Sequence, residues 1–101
     1  MMRLVPIELA GRTALGIEVK LPKTTLLAVA TDIGYIMCGA LDVKLLNDRL
    51  KDRGIVAGRA VGVQTLEQLL DAPLESVTFA AEERGIRVGM KGSDAVSLMF
   101  A

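Results

Sequence analysis

The chain has 101 residues, 51% of them apolar, with twelve Lys and Arg balancing twelve Asp and Glu, one Cys, no Trp and no His. One domain with one core fits this length, and zero net charge excludes the electrostatic footprint of a phosphate-tracking nucleic-acid binder. One Tyr and two Phe make no base-stacking platform, and the absence of His excludes His-based triads, an imidazole base and Cys/His zinc sites.

The first forty residues read as strands. Met1 to Leu9 contains Pro6, which donates nothing to a ladder, so this strand is predicted at a sheet edge. Gly11-Arg12 turns the chain. Thr13 to Leu21 alternates cleanly, with Leu15, Ile17, Val19 and Leu21 on one side and Gly16, Glu18 and Lys20 on the other, the pattern of a half-buried strand. Pro22-Lys23-Thr24 is a second turn. Thr25 to Ala30 and Tyr35 to Ala40 are apolar on both faces, joined by a short loop at Asp32-Ile33-Gly34. Strands of that kind are covered on both sides, by helices or by another subunit.

At Leu41 the rhythm becomes helical. Asp42 is a good N-cap, Val43, Leu46 and Leu50 form a stripe with Leu45 beside it, Lys44 and Asp48 lie on the wet side, and Gly54 is the stop. Ile55 to Val63 reads as a strand. Thr65 and Gln68 form a capping box for a short helix that Asp71-Ala72-Pro73 ends. Pro73 is predicted to open another helix, with Leu74, Val77 and Ala81 inward and Gly85 at its close. Ile86 to Met90 is read as a last strand, followed by a helix capped by Ser93 and carrying Val96 and Phe100. Arg53-Gly54-Ile55, Gly58 and Gly62 are echoed by Arg84-Gly85-Ile86, Gly89 and Gly92. The pattern predicts one α+β domain over residues 1–101: an N-terminal antiparallel β-meander, then β-α units on a mixed sheet with helices packed on it.

Three runs, Gly34-Tyr35-Ile36-Met37-Cys38-Gly39-Ala40-Leu41-Asp42, Arg53-Gly54-Ile55-Val56-Ala57-Gly58-Arg59-Ala60-Val61-Gly62-Val63 and Gly85-Ile86-Arg87-Val88-Gly89-Met90, carry a resemblance. They resemble the YunC-like proteins, a small bacterial and archaeal domain family of unknown function, over nearly the whole chain. The resemblance implies a compact α+β domain of this size and brings no reaction, cofactor or catalytic residue with it.

Six residues are candidates for chemistry. Cys38 sits in an apolar strand shortly before the helix at Asp42, a place for a thiolate or for a small buried hydrophobe. Arg59 lies mid-strand among apolar neighbours and needs a carboxylate (Asp42 or Glu18), a ligand anion or a subunit boundary. It is expected to be mostly buried. Gly58 and Gly62 leave one side of that strand bare, for a helix or a ligand. Lys91, inside Gly89-Met90-Lys91-Gly92-Ser93, precedes a helix start without Walker A spacing, so it marks an anion site or a simple turn. Asp48, Asp52, Glu82 and Glu83 read as solvated faces.

The reading is a cytoplasmic, self-assembling module that binds a small anionic metabolite, needing no metal or cofactor. An enzyme using Cys38 or Asp42 and a structural subunit without ligand are the alternatives. The longest uncharged stretch, Ile33 to Leu41, is too short to cross a bilayer, and Arg3, Pro6 and Glu8 break any signal-peptide core. One Cys excludes an internal disulfide and fits a reducing compartment. Fifty-one per cent apolar residues in so small a domain predict a homo-oligomer with no nucleic-acid or membrane partner.

Overall fold

Turn chemistry sets the first half of the fold. In the computed structural model, which describes residues 1–48 and 53–101, Ala10 and Gly11 both have positive φ (53° and 75°). That geometry matches the twist of the strands it joins, β1 (Met2–Leu9) and β2 (Arg12–Leu21). Lys23 (φ 66°) turns β2 into β3 (Thr24–Ala30), and the Thr31 hydroxyl accepts from the Ile33 and Gly34 amides to close the loop into β4 (Gly34–Met37). The same hydroxyl donates to the Met99 carbonyl at 2.6 Å, tying this loop to the far end of the chain.

The second half adds α1 (Val43–Asp48), β5 (Val56–Arg59), α2 (Leu66–Asp71), β6 (Ser76–Val77), α3 (Phe79–Glu83) and α4 (Gly92–Ser97). Among the described residues six strands form one sheet in sequence order, antiparallel except for the parallel pair β4–β5. This is the α+β architecture predicted, with a mixed sheet and the strands preceding most of the helices. β1 is an edge strand, as Pro6 requires. No helix among the described residues is long and apolar enough to cross a membrane.

Register assigns every strand residue to a face. One transverse row runs Val5, Gly16, Val29, Ile36, Gly58, Val77 across all six strands. This is the first face, and the main core lies on it with Leu66, Leu69, Leu74, Val96 and Met99. The glycines are there for space. A Cβ on Gly16 would stand 2.8 Å from Ile7 Cδ1 and 3.0 Å from Leu66 Cδ1, and one on Gly58 would stand 2.8 Å from Leu74 Cδ1. The second face carries the row Leu4, Ile17, Ala28, Met37, Arg59, Ser76 and its neighbours. Here α1 packs against β5, and its buried Val43 and Leu46 lie outside the main cluster, as do Ala28 and Ala57.

Several predicted details change. β2 alternates as its sequence predicts, with the side of Ala14 and Gly16 buried, while Leu15 and Leu21 remain 41% and 47% exposed. Residues 73–77 are not helical, because the Glu75 amide donates to the Arg59 carbonyl and Ser76–Val77 pairs with β5 as a strand. Leu74, Val77 and Ala81 are nevertheless all buried. The predicted strand to Val63 stops at Arg59, since Gly62 takes a left-handed φ of 74°. Ile86 to Met90 is no strand: Gly85 and Gly89 both sit at φ 89°, which breaks extended pairing, and Lys91 alone forms a bridge, to Pro73. Ser93 lies inside α4 rather than capping it, the cap position being Lys91. Of the glycine echo, Gly54 and Gly85 correspond as left-handed residues, whereas Gly58 is a packed strand residue and Gly89 a turn. Leu50 and Asp52 lie outside the described residues.

Thr78 is the sole polar side chain among the buried described residues, at 2% exposure. Its hydroxyl donates to the Ile55 carbonyl (2.7 Å) and accepts from the Ala57 amide (3.1 Å) and the Ala81 amide (3.2 Å), so it joins β5 to the start of α3. Thr78→Val preserves shape but strands these three groups, and the expected cost is about 3 kcal/mol. Thr78→Ser should cost much less. Chemical denaturation of the two variants checks this, and equal midpoints would refute the role assigned to the hydroxyl.

Candidate functional site

Three surface hollows share out the residues singled out above. The largest, about 720 Å³, lies between the β4–α1 connection, α1 and the β5–β6 pair, and both Arg59 and Asp42 line it. A second, about 650 Å³, lies between the β2–β3 turn and the loop after β5, and contains Gly62. A third, about 290 Å³, touches Cys38. Gly58 lines none of the three; it sits beneath Leu74 as a packing residue. Lys91 also lies apart from them, its ammonium 3.5 Å from the Asp71 carboxylate.

Arg59 is held from both sides. Its Nε and one terminal nitrogen donate to the Gly39 carbonyl at 3.3 and 3.2 Å, and the other terminal nitrogen donates to both Glu75 carboxylate oxygens at 3.1 and 3.2 Å. The side chain is 30% exposed, so it is less buried than predicted, and its partner is neither Asp42 nor Glu18. Register gives the reason. Arg59 belongs to the second face, Glu18 to the first, where it pairs with Arg3 at 3.5 Å. The β5–β6 pairing sets Arg59 opposite Ser76, which brings the adjacent Glu75 to the guanidinium. Asp42 caps α1 instead, accepting from the Leu45 amide at 3.0 Å.

Charge decides what the large hollow can receive. Among the described residues its lining has four carboxylates (Asp42, Asp48, Glu75, Glu82) against Lys44 and Arg59, and Arg59 already holds Glu75. An anion would meet net repulsion there. The second hollow is the opposite case. Lys20, Lys23, Thr24, Thr25 and Gln64 surround the Gly62 turn, no carboxylate lines it, and neither lysine is in a salt bridge among the described residues. Sequence reasoning missed Lys20, Lys23 and Gln64. The signal was present in residues 19–31, which hold two lysines and no acid.

Cys38 continues the line of β4, its amide donating to the Leu27 carbonyl while its sulfur accepts from the Leu27 amide at 3.4 Å. It is 8% exposed and belongs to the core cluster. Among the described residues no other ionisable side chain lines its hollow to activate the thiol. Among the described residues no group of three or more His, Cys, Asp or Glu is placed to hold a metal ion.

Comparison with known proteins gives three results. Residues 37–99 match the model of a domain of unknown function, DUF1805. The chain is 65% identical over 100 residues to the uncharacterized protein YunC of Bacillus subtilis, covering 99% of each. The fold is similar to the crystal structure of a protein of unknown function from Thermoplasma acidophilum, with TM-score 0.88 and 28% identity over 98% of this chain and 93% of that one.

Two outcomes follow from the geometry. The Ser76 hydroxyl, hydrogen-bonded to Glu75, and then the Arg59 charge hold the Glu75 carboxyl below its ordinary value. A carboxylate depressed on folding contributes stability that is complete above its unfolded pKa and fades as the pH falls through the folded one. Glu75→Gln should therefore flatten part of the acid limb of the stability–pH profile and leave the limb above pH 6 unaltered. Cys38 should resist iodoacetamide at neutral pH until the chain is unfolded; prompt alkylation of the native protein would contradict its core placement.

Proposed function

The chain belongs to the DUF1805 family, and we propose that this member is a binding module for a small anionic metabolite, taken up at the hollow of Lys20, Lys23 and Gly62. The observation that carries this reading is a hollow of about 650 Å³ with two unpaired lysines and no carboxylate among its described lining residues. The two ammonium groups supply charge, and the Thr24, Thr25 and Gln64 side chains supply donors that orient an oxyanion. Lys23 holds a left-handed backbone, φ 66°, an uncommon conformation for a side chain with a Cβ. That conformation sets its side chain at the rim between β2 and β3 rather than along either strand.

Binding without catalysis suits the rest of the site. Cys38 is packed in the core, and Asp42 is engaged as a helix cap. A thiol kept free in the core fits the reducing cytoplasm.

A thermal-shift series with citrate, inorganic phosphate and putrescine tests the reading. At a hundred times its Kd a ligand adds about 2.7 kcal/mol, a rise of roughly 10 °C or more for a domain this small. The expected result is a rise with at least one of the two anions and none with the diamine. The rise should vanish in Lys20→Gln/Lys23→Gln and persist in Arg59→Gln. A shift that survives loss of both lysines, or one given by putrescine alone, would overturn the assignment.

A further inference from the structure

The second face of the sheet is uncovered over β1 and β2 and only partly open over β3, where Ala28 is 4% exposed and Leu26 and Ala30 are half-buried. Leu4 (53% exposed), Leu15 (41%) and Met2 (64%) stand on it, with half-buried Ile17, Val19 and Leu26 between them. Charged groups are confined to its borders. Glu8, hydrogen-bonded by Thr13 at 2.7 Å, marks one corner, and Arg59 marks the side toward β5. Every transverse row between those limits is apolar.

We propose that this face is the contact surface of a two-fold dimer, with a second copy of this chain as its occupant. Three observations favour that occupant. First, the surface is larger than a monomer of this mass should have. The chain exposes 5919 Å², against roughly 5,500 Å² for a typical monomer of its mass. Second, the face is of the size that a two-fold contact needs. Three strands about 4.8 Å apart and about eight residues long, at about 3.3 Å per residue, project roughly 380 Å². With β4 and the relief of the side chains added, a stacked pair reaches the roughly 1,000 Å² that a specific interface needs.

Third, among the described residues the interior of the face between Glu8 and Arg59 carries no charge, so two copies present no like charges to each other. A second copy presents the same uncharged rows, as an isologous contact demands. Pairing through the outer edge of β1 is blocked by Pro6 in the middle of that strand. Stacking of faces is what remains for β1 and β2, and two sheets stacked at about 10 Å would interdigitate their leucines as in a sandwich.

Light scattering on the unmodified protein at micromolar concentration should give twice its mass of 10.8 kDa. Leu4→Glu/Leu15→Glu should halve the measured mass while the circular dichroism of the fold is retained, because both positions are exposed in a single copy. Val88→Glu, 62% exposed elsewhere, should leave the doubled mass unchanged. Hydroxyl-radical footprinting of the unmodified protein provides a readout that needs no variant: Leu4, Leu15 and Tyr35 should label several-fold less where the mass is doubled. Equal labelling of these residues, a doubled mass that survives the folded double variant, or a monomeric unmodified protein would each overturn the proposal. A monomer that co-sediments with neutral phosphatidylcholine vesicles would overturn it too, in favour of a lipid occupant.

Discussion

Two parallel neighbouring strands cannot be joined by a tight turn; the chain has to leave the sheet and return at the starting end. That constraint acts once here, between β4 and β5, and much of the remaining architecture depends on it. The crossover segment carries α1, which packs against β5 on the second face, while α2 and α4 gather on the first with most of the core. The largest hollow lies along the crossover because α1 and its lead-in stand beside the β5–β6 pair without filling the space between them. The same asymmetry leaves β1 and β2 with a helix-covered face and a bare one. A single parallel pairing thus divides the molecule into a packed side and a side with an open surface.

The hollows differ in character because charges were sorted by register. On the second face Arg59 is fixed between Gly39 and Glu75, so its positive charge serves to brace the exit of β4 against the entrance to β6. On the far side of that face the β2–β3 turn concentrates two lysines with no acid in the intervening strand ends. The chain is neutral as a whole and locally polarised. Local polarisation, more than net charge, determines which solutes a shallow surface hollow retains.

Much of the sheet could be read from the sequence because period-two patterning and turn residues are local signals. Pro6 indicated the edge, Thr65 with Gln68 indicated a capped helix, and Asp42 marked its own cap. Those readings hold in the structure, with the Thr65 hydroxyl accepting from the Gln68 amide and Asp42 from that of Leu45. What the pattern concealed was which side of β2 is covered. Leucine against glycine suggested the leucine side, but Ile7 and Leu66 reach over Gly16 from other elements, and no local pattern reports that. β6 was concealed for a similar reason. Leu74, Val77 and Ala81 fit a helical stripe, and only the long-range pairing of Ser76 with Arg59 selects the extended form. The partner of Arg59 was missed with it, since Glu75 reaches the guanidinium through that pairing alone. Six candidate site residues scattered over several places, because sequence distance says little about convergence once a chain crosses a sheet.

Spatial strand order equal to chain order has a consequence for how the molecule is made. Each sheet pairing joins strands that follow one another in sequence, so contact order within the sheet is low and loop closure is inexpensive in entropy. Longer-range closure comes from elements packed on the sheet, among them the bond from Thr31 to the Met99 carbonyl, 68 residues apart, which seats the end of the chain against the β3–β4 loop. Val96 and Met99, both fully buried, arrive with that segment. During synthesis the meander emerges from the ribosome well before them, with both of its faces uncovered. A nascent sheet in that condition is prone to add a foreign strand, and its outermost strand is the one that carries proline.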